Sequence, residues 1–337
     1  MPEPLGAVPF QPRPPWWGPD LQTLRDTLRG PRFPVDQAEP LPIPIGRGEQ
    51  LLALVDRPAQ AAPLGVVLLL HGLGGSSQAT GVRRLALVLQ AQGFAVLRLN
   101  LRGAGAGRSL APGTYAAHCN GDLLPVLRRA RQLAGGRPLF GVGFSLGGTV
   151  LLNGVLEPGS PQPWLDGLVV ISSPLDLAGC SAAIGLPRNR LYERWLLRSL
   201  RRQTLADSSG LSAGERLGLS QVRSIRDFDT LITAPRWGFA SVDNYYAQAS
   251  PLLRLQEPDP PLPASLLIQA LDDPWVPAAP AVALASRDPA LPGLEVVLSA
   301  GGGHNGFHAP GGSWSDQLTL HWLRQQLDRQ PPRRACA

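Results

Sequence analysis

Short apolar runs bounded by turn residues alternate with helical stretches along most of this 337-residue chain, and that alternation leaves few folds open to it. Runs at 51–55, 65–70, 94–99, 138–144, 168–172, 264–270 and 294–298 read as strands, and 82–92, 122–133, 146–156 and 314–327 as helices. The run at 65–70 is apolar at successive positions, as a strand covered on both faces must be. Strands alternating with helices predict an α/β fold, a mostly parallel sheet with helices on both faces. The rhythm breaks between about 175 and 263, where helical stretches occur without a convincing strand. That segment reads as a helical cap insertion on the carboxyl side of the sheet, where α/β folds bind ligands. The domain so defined covers 41–330. A proline-rich segment at 1–40 is expected to wrap the surface through Trp16 and Trp17, and 331–337 reads as a flexible tail.

Apolar residues make up 44% of the chain and charged residues 17%, which supplies a core and argues against disorder. No apolar run approaches the ~20 residues a membrane helix needs. The proline-crowded start lacks the apolar stretch of a secretory signal. Cys119, Cys180 and Cys336 are too few and too scattered for a disulfide framework or a zinc cluster, which points to a reducing, cytoplasmic compartment. All 31 basic residues are arginine, so chemistry that needs a lysine amine, such as a Schiff base or a P-loop, is excluded. A net charge of +6 would suit a polyanion. The arginines are dispersed, however, without the aromatic interleaving of a single-strand binder, and no nucleic-acid partner is expected.

The segment Gly143-Phe144-Ser145-Leu146-Gly147 lies where an apolar strand meets an apolar helix. A sharp turn in that context is a nucleophile elbow, which lifts the serine hydroxyl above the sheet. It strains the serine backbone and leaves room only for tiny residues two places either side. A dinucleotide reading of Gly141, Gly143 and Gly147 fails on spacing and on the lack of an acidic residue after the next strand. His71-Gly72-Leu73-Gly74-Gly75 follows the strand at 65–70 and would present the Leu73 amide, which with the Leu146 amide makes an oxyanion hole. His71 itself reads as a structural loop residue. The strand at 264–270 runs into Leu271-Asp272-Asp273-Pro274, and that at 294–298 leads into Gly303-His304-Asn305-Gly306-Phe307. Serine, acid and histidine thus follow in that order, each just past a strand end. Adjacent residues leaving a strand point opposite ways, so only one of Asp272 and Asp273 can face the histidine. His304 and His308 have the four-residue spacing of a helical metal site, but the glycines and Pro310 around them argue against a helix and no carboxylate accompanies them. No metal or organic cofactor is expected.

Together with Asp20-Leu21-Gln22-Thr23-Leu24, Asn100-Leu101-Arg102-Gly103, Arg226-Asp227-Phe228-Asp229, Thr233-Ala234-Pro235, Tyr245-Tyr246 and Ser250-Pro251, these segments give a chain that resembles the YheT-like branch of the α/β-hydrolases, which includes the eukaryotic abhydrolase-domain lipases and esterases. The resemblance spans about 15–325. It implies an α/β-hydrolase fold, hydrolysis of lipid-like or simple acyl esters, and Ser145, Asp273 and His304 as a catalytic triad. The glycine-rich loop at 102–109 and the extra proline near the start depart from the pattern and bear on the substrate. The expected reaction is acyl transfer to Ser145 and then to water, with a small-molecule acyl ester as partner. The rivals are an acyltransferase with the same triad and a catalytically silent, ligand-binding hydrolase fold. At 193–202, Arg194, Arg198, Arg201 and Arg202 share one helical face and Leu196, Leu197 and Leu200 the opposite one. That pattern suits packing of a cap and also peripheral contact with an anionic membrane. None of these patterns encodes an oligomeric state.

Overall fold

The computed structural model describes residues 9–60, 62–158, 163–207 and 210–329, so Cys336 and the segment expected to be a tail at 331–337 lie outside the described residues. Helix α1 (Gly18–Leu28) precedes a hairpin of β1 (Glu39–Gly46) and β2 (Glu49–Asp56). Then β3 (Val66–Leu70), α2 (Thr80–Ala91), β4 (Ala95–Asn100), α3 (Asn120–Ala134), β5 (Leu139–Phe144), α4 (Leu146–Val155) and β6 (Gly167–Ile171) alternate. The next stretch is helical: α5 (Leu177–Ile184), α6 (Arg190–Leu205), α7 (Ala213–Gln221), α8 (Ile225–Phe228), a π-helical turn at Asp229–Thr233, α9 (Ala234–Arg236), α10 (Val242–Ala249) and α11 (Leu252–Gln256). Strand β7 (Ala264–Ala270), α12 (Ala279–Ala285), β8 (Leu294–Ser299), the short pair β9 (His308–Ala309) and β10 (Gly312–Ser313), and α13 (Trp314–Arg329) follow.

Eight strands form one sheet in the order β1-β2-β4-β3-β5-β6-β7-β8. Pairing is antiparallel from β1 to β4 and parallel from there to β8. This is the α/β architecture that the alternation predicts. Strand β3 shows why both of its faces had to be apolar: Val66, Leu68 and Leu70 pack with α3 and α4, and Val67 and Leu69 pack with α2 and α13. A third cluster lies wholly within the insertion apart from its rim, around Tyr192, Leu196, Leu197, Leu200, Phe228 and Ile232.

Two details differ from expectation. Trp16 is buried, but Trp17 is 58% exposed and does not anchor the amino-terminal segment. Its place is taken by Gln22, whose amide donates to the carbonyls of Trp16 (2.6 Å) and His308 (3.2 Å) while its oxygen accepts the His308 amide (2.7 Å). On α6, Arg194, Arg198 and Arg202 face solvent, but Arg201 is half-buried and bonds the Val222 carbonyl. That carbonyl ends α7 without an intrahelical donor, and the guanidinium supplies one.

Candidate active site

Ser145 follows β5 directly and occupies the N-cap of α4 with φ 51° and ψ −126°, a conformation that costs a non-glycine residue on the order of 1–3 kcal/mol. The surrounding sequence enforces it. A Cβ on Gly143 would stand 2.3 Å from the Gly148 nitrogen, and one on Gly147 would stand 2.6 Å from the His71 carbonyl oxygen. A Cβ on Gly148 would meet Ser173 Oγ at 2.0 Å, a third requirement that the spacing argument did not include. The Ser145 amide is fixed by the Ile171 carbonyl at 2.8 Å.

Two loops from the far side of the sheet meet the serine. His304 Nε2 lies 3.0 Å from Ser145 Oγ, and His304 Nδ1 donates to Asp273 Oδ2 at 2.9 Å. Asp273 Oδ1 accepts the amides of Trp275 (2.8 Å) and Val276 (3.0 Å), so the turn after β7 holds the carboxylate in place. Asp272 points away and accepts the Gly303 amide at 2.8 Å. Burial raises its pKa, against the pull of that amide. The structure thus brings Ser145, Asp273 and His304 into one hydrogen-bonded chain, and leaves Asp272 bracing the loop that carries the histidine.

Leu146 begins α4, where backbone amides have no intrahelical acceptor. Gly72 packs so closely on the serine that a Cβ there would be 3.0 Å from Ser145 Cβ, which sets Leu73 beside it on the cavity wall. The loop is pinned by Tyr115, whose hydroxyl accepts the Gly74 amide at 2.6 Å. His71 is fully buried, accepts the Leu101 amide at 3.2 Å and donates to the Gly72 carbonyl at 2.8 Å. Burial pushes its pKa down to about 4. His308 is separate from this chain: its ring lies 3.6 Å from Asp26, and among the described residues no group of three or more histidine, cysteine, aspartate or glutamate side chains could hold a metal ion.

Four further residues support the histidine in ways that no local pattern announced. The Trp275 ring stacks on the His304 imidazole with centroids 4.4 Å apart. Thr23 Oγ1 accepts the His304 amide at 2.9 Å, and Gly303 and Gly306 lack side chains because the α1 backbone presses on them. The Asp20-to-Leu24 segment was legible only as part of a resemblance, since a contact across 281 residues leaves no local pattern.

Above Ser145 lies a cavity of about 770 Å³ whose far wall comes from the helical insertion, including Leu177, Leu196, Leu200 and Phe228. The site is therefore a serine–histidine–aspartate chain at the foot of a largely apolar chamber.

Compared with known proteins, residues 67–313 match the description "Alpha/beta hydrolase family". YheT of Escherichia coli (strain K12) is 30% identical over 286 residues, 82% of this chain and 82% of that protein. Phospholipase ABHD3 of Mus musculus is 31% identical over 75% of this chain, which spans only 60% of that relative's length. Among solved structures, Est1E from Butyrivibrio proteoclasticus with ferulic acid bound shares the fold, with a TM-score of 0.57 at 15% identity over 86% of this chain and 100% of that one. The chain belongs to the alpha/beta hydrolase family, in its YheT-like branch.

Proposed function

We propose that this protein is a serine esterase that cleaves carboxylic esters through an acyl-enzyme on Ser145. The observation that carries the reading is the unbroken chain from Asp273 through His304 to Ser145, opening on an apolar chamber. The names of its relatives, phospholipase and esterase among them, support ester hydrolysis as the class of reaction. Ser145 Oγ attacks the ester carbonyl as its proton passes to His304 Nε2. The Leu73 and Leu146 amides stabilise the oxyanion, each such donor being worth about 3 kcal/mol of barrier. The proton then goes to the departing alcohol, and a water activated by the same imidazole releases the acid. Asp273 holds the tautomer and stabilises the imidazolium.

Ser145→Ala should reduce kcat by ~10⁴ or more and abolish labelling by a fluorophosphonate probe, with the fold retained. A variant keeping above about a hundredth of wild-type kcat would sink the assignment. Release of free acid in water, not transfer to an added alcohol, is the expected product partition.

A second proposal concerns α6, where Leu191 (77% exposed) and Trp195 (52%) emerge among Arg190, Arg194 and Arg198 on the solvent side. Trp195 also lines the chamber. An exposed apolar ridge flanked by cations suits shallow contact with an anionic bilayer. Co-sedimentation with anionic vesicles should exceed that with zwitterionic ones and weaken with salt; indifference to both would remove this proposal.

A further inference from the structure

Asp229 plays no part in the reaction above, yet it lines the same chamber as Ser145. It opens the π-helical turn Asp229–Thr233, the kind of widened turn that recurs at functional positions. Tyr246 Oη donates to Asp229 Oδ2 at 2.9 Å and stands 3.1 Å from Ser181 Oγ of α5. Ser181, Tyr245, Tyr246 and Phe228 line this part of the chamber with it. Arg226, about one turn earlier, is committed to Asp243 (2.7 and 2.9 Å), with its guanidinium 5.8 Å from the Tyr246 ring centre.

Burial pushes the Asp229 carboxyl up to about 6, with hydroxyl bonds from Thr233 and Tyr246 pulling the other way. A carboxylate has roughly four acceptor sites, and two hydroxyls leave capacity over. A hydrocarbon chain laid against it would strip its water and give nothing back, a costly arrangement for a half-buried acceptor.

We propose that Asp229, framed by Tyr246 and Ser181, binds a hydrogen-bond-donating group of the substrate, a hydroxyl or an ammonium, remote from the scissile carbonyl. The inference rests on the esterase reading and names its substrate class: esters with a polar donor beyond the apolar portion.

The test is the ratio of kcat/KM between matched esters that differ only in ending in methyl, hydroxyl or ammonium, over several chain lengths, with the variable end on the acyl side in one series and on the alcohol side in another. The ratio cancels any change in Ser145 or His304 reactivity. A flat ratio in an active enzyme thus overturns the subsite alone, whereas an enzyme inactive on every ester counts against the esterase reading. At least one donor-bearing ester should be favoured about tenfold or more, with the hydroxyl and ammonium arms deciding which donor fits, and Asp229→Asn should reduce that preference by about tenfold.

The wild type offers a second measurement that needs no variant. Its donor preference should rise with pH through about 6 as the carboxyl ionises. Tyr245 and Tyr246 of α10 and Cys180 of α5 are held well above their usual values by burial and stay neutral there. Of the other charges on the elements packed around the turn, Arg226 pairs with Asp243, Arg236 with Glu215, and Asp227 accepts the Arg223 and Ser224 amides. Glu193 of α6 accepts the Ile225 amide. A preference near one for every donor-bearing ester, or one unmoved by both Asp229→Asn and pH 5–7, overturns the proposal.

Discussion

The loops after β3 and after β8 each raise a buried histidine beside the turn that carries Ser145, and the two rings are wired differently. His304 has a carboxylate behind Nδ1 and the serine hydroxyl before Nε2. In His71 both nitrogens bond to backbone, Nδ1 to the Gly72 carbonyl and Nε2 to the Leu101 amide. His71 therefore ties the loop at Gly72 to the end of β4, and burial with no counter-charge keeps it neutral. His304 is just as enclosed, but Asp273 can stabilise the imidazolium that proton transfer would create. In the proposed mechanism it is this opposing charge, not burial, that would fit His304 to act as the base.

Removing that charge is the largest way to break the contrast. Asp273→Asn keeps the shape of the side chain but should lower kcat by about 10⁴, as loss of the orienting carboxylate does in other triads. The control sits one residue away. Asp272→Asn should leave turnover within a few-fold and cost ~1–2 kcal/mol of stability through the weakened bond from the Gly303 amide. Kinetics and melting curves on both purified variants decide the matter, and an exchange of the two effects would reverse the roles.

The same contrast explains what the sequence made legible. Strand ends and their loops carry local marks: β7 spans the predicted 264–270, and Gly143, Gly147 and the paired aspartates announce their turns. Strand β1 was missed because Pro40, Pro42 and Pro44 suggest a loop. They fall at every second residue of a strand with a neighbour on one side only, where a missing N–H can face the open edge. Helix α1 was missed because its one buried residue is the polar Gln22. The helical character of the insertion was readable, but its contacts were not. Asp229 meets Tyr246 across 17 residues and two helix boundaries, and Trp275 reaches His304 only after β7 and β8 pair. Scaffold chemistry repeats local rules; the chamber wall depends on how unlike helices pack.

The smallest effect on turnover, and the one that sharpens the comparison most, comes from His71. Because its folded pKa is about 4 against an ordinary 6.5, the unfolded chain binds more protons between those values, and stability must fall as pH falls through that window. From pH 7 to pH 5 this one ring should remove about 2 kcal/mol. His308, also pushed down to about 4 by burial, and His118, lowered by burial as well, act in the same direction, so the acid limb of the whole protein is shared among them. Replacing one separates them. His71→Gln should be less stable than wild type at pH 7, since two backbone bonds are disturbed, yet lose less on acidification. The gap measured by urea unfolding should therefore narrow by about 2 kcal/mol by pH 5, while turnover per folded molecule at pH 7 stays within a few-fold. A gap constant from pH 7 to 5 would mean that His71 is not held neutral by the fold. A fall in turnover matching that of Asp273→Asn would mean that its ring serves the chemistry after all.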